Sequence, residues 1–285
     1  MTDDYHAYSL SDPGLKRNNN EDCYLSAPSL GLWAVADGMG GHDAGEVASA
    51  IAIKVLHEHA AQHRPLEDAI QLAHDAVIEA ATMGLGAEGM GSTIVAVLST
   101  AEEWQMAWVG DSRAYLWTSD SEGGHLQQVS ADHSYVQMLY QSGAIDAEDM
   151  EQHPDKHVIT QCLGMTQLPH VDVDTINQAW EPNQTLLLCS DGLSDELNDD
   201  VIASILCKYK DTAAAAQALM QAALDSGGRD NITLQLIESP LEKVDSLASY
   251  TTGKLQTGSS SALMFPIALA GLITVAVVAL LWIAL

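Results

Sequence analysis

The stretch LGLWAVADGMGGHDAGE, residues 30–46, breaks an apolar run with one aspartate and a cluster of glycines. A buried strand does not ordinarily end in a lone charge, so Asp37 calls for a reason: a phosphate cradle, a metal site, or a plain strand-to-helix turn. The cradle fails on spacing. GMGG has no Lys-Ser/Thr after it and lacks the full GxGxxG of a dinucleotide fold, and Asp37 would itself repel a phosphate unless a cation lay between them. Asp43 in the same loop favours the start of the next helix. The glycine after Asp37 permits a close backbone approach, which makes the Gly38 carbonyl a candidate ligand.

Outward from this stretch, apolar runs bounded by turn residues recur: LGLWAVADG, STIVAVLST, WQMAWVGDSRAYLW, TLLLCSDG and NITLQLIE. Each reads as a strand. Between the first two lie AGEVASAIAIKVLHEHAAQH and PLEDAIQLAHDAVIEAAT, built of good helix formers at helical periodicity. DTAAAAQALMQAALDSGG predicts a further helix ended by Gly227 and Gly228. Helices come in a pair while strands follow one another as hairpins. That is an α+β chain with antiparallel sheet rather than a doubly wound fold. Residues 133–169 read as a helix, a polar acidic stretch and a return segment, an insertion lying outside the sheets.

Acidic residues recur where these strands begin or end. Glu21 and Asp22 open one in NNNEDCYL, Asp37 and Asp191 each close an uncharged apolar run and precede glycine, and Asp230 stands just before NITLQL. Asp132 lies at the edge of the insertion. Strand ends can deliver side chains from distant sequence into one cleft, and an oxygen-rich set of this kind suits hard cations such as Mg²⁺ or Mn²⁺. Singly, each Asp-Gly is an ordinary turn pair; jointly they favour a metal. Asp195, Glu196, Asp199 and Asp200 read as a solvated face.

The chain has 285 residues and a net charge of −28, from 11 basic and 39 acidic side chains. Such a surface repels nucleic-acid backbones, so nucleic acid is excluded as a partner. Four cysteines without a CxxC pair fit a reducing compartment. His57 and His59, two apart on a helix, face different directions and do not share a metal. The acidic N-terminus is unlike a signal peptide. The segment Leu263–Leu285, LMFPIALAGLITVAVVALLWIAL, has no charged residue, and its length matches the roughly 20 residues that cross a bilayer core. The expected organisation is a globular domain over residues 1–240, a flexible tether over 241–262 and a transmembrane helix over 263–285. That makes a tail-anchored protein of the plasma (inner) membrane, contacting lipid through this helix, with Lys243 and Lys254 on the cytoplasmic side.

The segments RNNNEDCYL, VADGMGGHDAGEVAS, GMGSTIVAVL, WVGDSRAYLW, SADHSYVQML, HVITQCLG, LLLCSDGLSDEL and GGRDNITLQLI, in this order, resemble the metal-dependent Ser/Thr protein phosphatases (type 2C, PPM) in their compact bacterial form. The likeness covers residues 10–238. It implies a central sandwich of two antiparallel sheets flanked by helix pairs, with a dinuclear Mn²⁺ or Mg²⁺ centre at one end. On that template Asp37 bridges both ions, Gly38 offers its carbonyl, and Asp191 and Asp230 complete the first ion's shell. Glu21 holds water on the second ion and Asp22 supports the same corner. Asp132 joins Asp191 at a third, weaker ion, and Arg17 grips the substrate phosphate.

The implied activity is hydrolysis of phosphoserine and phosphothreonine in proteins, opposing a Ser/Thr kinase, by a monomeric catalytic domain. Two ions about 3.5–4 Å apart can share one water and acidify it for in-line attack on phosphorus. Arg17, a planar fork charged at every relevant pH, can bind two phosphate oxygens. Met39 stands where many eukaryotic members carry a histidine proposed as general acid, and His42 does not inherit that role by proximity. Asp111 and Thr93 read as structural supports, and the insertion as a substrate-facing flap. A catalytically dead binding module would lack a central ligand, and Asp37, Asp191 and Asp230 are all present. A small-molecule phosphatase with the same metal centre is separated by its substrates. No twelve-residue EF-hand loop occurs.

Overall fold

The computed structural model describes residues 5–41 and 44–243. Strands β1 (Ala7–Asp12), β2 (Asp22–Ala27) and β3 (Leu32–Met39) lead into helices α1 (Ala44–Ala60) and α2 (Leu66–Thr82). Then follow β4 (Gly91–Ser92), β5 (Ile94–Ser99), β6 (Glu103–Val109), β7 (Arg113–Thr118) and β8 (His125–Gln128). The insertion carries α3 (Tyr135–Gln141) and α4 (Ala147–Gln152), and the chain returns through β9 (Asp174–Ala179) and β10 (Gln184–Cys189). Helices α5 (Asp191–Ser194), α6 (Asp199–Lys208) and α7 (Thr212–Ser226) precede the last strand, β11 (Ile232–Glu238).

The strands form two antiparallel sheets, ordered β1-β11-β10-β7-β8 and β2-β3-β5-β6-β9, with β4 added to β3. Side chains alternate across each strand, and in the central strands β3, β5 and β10 both faces are covered, so their apolar runs are continuous in sequence. Trp33 and Val35 of β3 point between the sheets, with Val95, Val97, Leu186 and Leu188. Leu32, Ala34 and Ala36 point the other way, against Ala52, Leu56, Ile70 and Ala73 of α1 and α2. On the outer face of the β1-β11-β10-β7-β8 sheet, Leu187, Leu234 and Leu236 pack on Ile202, Leu219 and Ala223 of α6 and α7. Each fully buried aliphatic side chain in these layers is worth roughly 1.5–3 kcal/mol. The α/β/β/α order expected from the family resemblance is the order found.

Helix ends follow their local chemistry. Asp211 caps α7 by accepting from the Ala214 N–H at 2.8 Å, and Gly227 ends it at φ 152°. Asn198 caps α6 through the Val201 N–H at 3.0 Å, a helix that the sequence reading left as a charged face. The larger correction concerns WQMAWVGDSRAYLW, which reads as one strand. It is two, β6 and β7, in different sheets. Gly110, at φ 109°, turns the chain between them, a conformation that favours glycine. The insertion holds two short helices, the acidic stretch forming α4. His42 and Asp43, the tether beyond Lys243 and the apolar segment 263–285 lie outside the described residues; among the described residues no helix is long and apolar enough to cross a membrane.

Candidate metal and phosphate site

The cleft lies where one end of both sheets meets. Antiparallel register sets Asp22, first in β2, directly opposite Asp37 near the end of β3. Asp37 is fixed through its backbone: its N–H donates to Thr93 Oγ1 at 3.0 Å, and its carbonyl accepts from the Thr93 N–H at 2.8 Å. Thr93 Oγ1 in turn meets Ser112 Oγ at 2.6 Å. A Cβ on Gly38 would lie 2.1 Å from the carbonyl oxygen of Gly45, so only glycine lets the end of β3 lie this close to α1. The Gly38 N–H donates to the Glu21 carbonyl at 3.2 Å, which also accepts from Ser49 Oγ at 2.6 Å.

Asp191 begins α5, directly after β10, and Asp230 precedes β11, its neighbour in the sheet. Asn231 ties this edge to the N-terminal loop. Its Nδ2 donates to the carbonyls of Pro13 at 3.0 Å and Asn19 at 2.8 Å, and its Oδ1 accepts from the Glu21 N–H at 2.8 Å. The resulting cleft, about 310 Å³, is lined by Arg17, Glu21, Asp37, Gly38, Asp191 and Asp230, with Met39, Asp111, His157 and Asn231 also on its wall.

Electrostatically this arrangement is crowded. Burial, then the neighbouring carboxylates Asp22, Asp191, Asp111 and Asp230, pushes Asp37 well above the usual carboxylate range. Burial likewise raises Asp191 to about 6, with Asp195 and Asp230 adding to the effect. Asp22 is raised to about 7, again chiefly by burial, although Thr233 and Ser190 hydrogen-bond to it and oppose the shift. Ser190 Oγ donates to Asp22 Oδ2 at 2.8 Å, while Asp22 Oδ1 is buried with no hydrogen-bond partner. Carboxylates converging on one cleft, with Asp22 Oδ1 orphaned beside them, match the hard-oxygen donor set of Mg²⁺ or Mn²⁺. Arg17 enters the cleft by pairing with Asp230, its Nη2 lying 2.5 Å from Oδ2. That hydrogen bond raises the already high pKa of the guanidinium.

A family model described as protein phosphatase 2C matches residues 17–226. The serine/threonine phosphatase stp of Listeria welshimeri is 34% identical over 249 residues, covering 83% of this chain and 96% of that one.

The chain belongs to the protein phosphatase 2C family.

It is accordingly a protein-serine/threonine phosphatase. Among solved structures, the serine/threonine phosphatase Stp1 of Staphylococcus aureus superposes with a TM-score of 0.75 at 32% identity, over 84% of this chain and 95% of its own. The catalytic domain of the phosphatase PstP, solved in complex with two manganese ions, gives 0.71 at 33% identity, over 82% and 97%.

Two acidic residues of this phosphatase 2C chain exchange the places expected of them. Asp132 stays out of the cleft. Arg113 binds it through Nε at 3.0 Å and Nη2 at 2.7 Å, and Gln128 Nε2 donates to its other oxygen at 2.9 Å. Asp111 stands on the cleft wall instead, pushed well above its ordinary pKa by burial and then by Asp191. The hint in the sequence was Gly110, the turn that ends one apolar run and starts the next. His157 is a second residue that sequence reasoning passed over. It reaches the cleft from the insertion, and its Nδ1 lies 3.3 Å from Asp195 Oδ2. Glu196 is not on a solvated face: Arg229 covers it through a forked pair at 2.9 and 3.1 Å.

Proposed function

We propose that this phosphatase hydrolyses phosphoserine and phosphothreonine in proteins with two Mn²⁺ or Mg²⁺ ions, held by Asp37, the Gly38 carbonyl, Asp191 and Asp230, with Glu21 and Asp22 supporting the second. The observation that carries this reading is the convergence of carboxylates from four separate strand ends on one cleft. Divalent ions in such a site neutralise the phosphate and acidify a water for in-line attack on phosphorus. For a third, weaker ion, Asp111 replaces Asp132 as the candidate beside Asp191, because Arg113 already occupies the Asp132 carboxylate.

The side chains of the chain itself supply the rest. Arg17 offers a planar pair of N–H donors at the cleft, matched to two oxygens of a phosphate. Thr93 holds the Asp37 backbone rigidly, so its carboxylate is presented without a reorganisation cost at the moment of reaction. Carboxylates with raised pKa values retain protons near neutrality, and cation binding displaces them. Met39 lines the cleft without a transferable proton, so the group that protonates the leaving serine or threonine oxygen is not the residue after Asp37-Gly38.

The 23-residue charge-free run 263–285 supports a membrane anchor, and Lys243 and Lys254 before it support a cytoplasmic catalytic domain; opposition to a Ser/Thr kinase follows from the substrate class. Carbonate extraction of membranes containing the full chain checks the anchor: the protein stays in the pellet if the run spans and is released if it does not. The activity itself is tested by phosphate release from a phosphothreonine peptide with Mn²⁺ or EDTA, beside Asp191→Asn. Metal-dependent release, abolished by the substitution, is the expected result. No release from the folded chain with either metal ion would leave a binding module.

A further inference from the structure

We propose that a groove beside the catalytic cleft selects substrates carrying lysine or arginine a few residues from the phosphorylated serine or threonine; this rests on the phosphatase reading above. The groove encloses about 660 Å³ between the insertion, with Val136, Ala147 and Met150, and the start of α6, with Asp199 and Asp200. It is continuous with the catalytic site. Lys156, Asp195 and Glu196 line both the groove and the neighbouring hollow, in which Arg17, Asp191 and Asp230 stand. An extended polypeptide advances about 3.3 Å per residue, so a chain whose phosphate reaches Arg17 carries its next few residues past these walls.

Carboxylates in the first turn of a helix often do no more than complement the helix dipole. Two further observations separate Asp199 and Asp200 from that case. The other acids of the groove are already answered: Asp132 by Arg113, Asp195 by Lys156 and His157, Glu196 by Arg229. Asp199 and Asp200 are exposed, and among the described residues no cation pairs with them. Val136, Ala147 and Met150 add apolar surface to the same groove, which suits the methylene stem of a lysine or arginine whose head group pairs with the two aspartates. The net charge of −28 works in the same direction. It disfavours approach of acidic phosphopeptides and favours basic ones, most strongly at low salt.

The test compares the full chain in detergent with Mn²⁺ on three phosphothreonine peptides, alike except for lysines, alanines or glutamates at the second to fifth flanking positions. p-Nitrophenyl phosphate serves as a substrate without flanks. The expected result is a kcat/KM order of basic over neutral over acidic, with basic exceeding neutral about tenfold at low ionic strength and the gap closing as salt rises. Asp199→Asn with Asp200→Asn should bring the basic-to-neutral ratio close to one. Asp199→Lys with Asp200→Lys should shift preference toward the acidic peptide, which also guards against one variant failing to fold. Equal rates on basic and neutral peptides, or a ratio unmoved in both pairs of variants, would overturn the proposal while p-nitrophenyl phosphate is still cleaved. If neither that ester nor any peptide is cleaved, the phosphatase reading falls and the proposal with it.

Discussion

The cleft and the flap meet at His157 yet are built on opposite terms. In the cleft, Asp37, Asp191 and Asp230 sit at the ends of central strands whose backbones are paired on both sides. In the flap, α3 buries only Val136, and Met138, Tyr140 and Val158 lie open to solvent. Strand ends over-determined by backbone hydrogen bonds and core packing suit chemistry, and a segment held by few contacts suits the recognition proposed for the flap. The difference also divides cost: the cleft gathers charges that oppose folding, whereas α3 of the flap gathers little stabilising burial.

The sharpest way to break this contrast is Asp191→Asn. Losing one central carboxylate should lower kcat with Mn²⁺ by about 10³-fold, several kcal/mol of charge stabilisation. The same change should not lower, and should modestly raise, the melting temperature in EDTA, because it removes a charge that burial disfavours. Turnover assays and melting curves on one preparation read both. If activity survives, the cleft is not where the chemistry is mounted.

A second comparison sets Asp132 against Asp111. Arg113→Met leaves the mostly buried Asp132 carboxylate without its cation and is expected to cost about 3–5 kcal/mol in urea unfolding. Asp111→Asn should cost little stability but weaken Mn²⁺ binding measured by calorimetry. If Asp132→Asn weakens the ion and Asp111→Asn does not, the assignment of the two reverses.

The pH dependence of the metal-free protein has a definite sign. Asp22 and Asp191 hold protons in the folded state up to about 7 and about 6, whereas an unfolded aspartate loses its own near 3.9. In that window the native state binds more protons, so the contribution of these groups is fully present below about pH 4 and is lost as pH rises through 6 to 7. In EDTA, the melting temperature of Asp191→Asn relative to the unaltered chain should therefore rise from pH 5 to pH 7.5. Mn²⁺ should stabilise the unaltered chain more at pH 7.5 than at pH 5. A difference flat across this range would sink the account of a charge-crowded cleft.

The smallest effects belong to the flap surface. Met138→Ser or Val158→Ser should change unfolding free energy by no more than about 0.5 kcal/mol. If flap exposure serves recognition, kcat/KM on a phosphoprotein should change more than kcat/KM on p-nitrophenyl phosphate.

Much of this was legible from one chain. The continuous run Leu32–Ala36 announces a strand covered on both faces, and the helix over Thr212–Ser226 carries its own cap and its own glycine stop. Asp37, Asp191 and Asp230 are marked because each interrupts or precedes an apolar strand with a charge that no core would accept without a partner. Asn231 was not legible: its three hydrogen bonds to the N-terminal loop span more than 200 residues of chain. Nor was α6, whose acidic first turn reads as surface until its apolar face is seen against the sheet.

By itself, then, the order of residues determined most of the strands, the α1–α2 pair, α7 and the three aspartates at strand ends, since alternation, caps and misplaced charges are local signals, while the layer order came from the family resemblance. Only the tertiary structure placed Asp111 on the cleft wall and Asp132 outside it. Asp111 follows an apolar run and Asp132 the mostly polar stretch HLQQVSA, and neither context shows which of them reaches the cleft. Their fates part because the turn at Gly110 moves the chain from one sheet to the other at the cleft. The same crossing lets β7 aim Arg113 at Asp132, and a charge held by a guanidinium is no longer free for an ion.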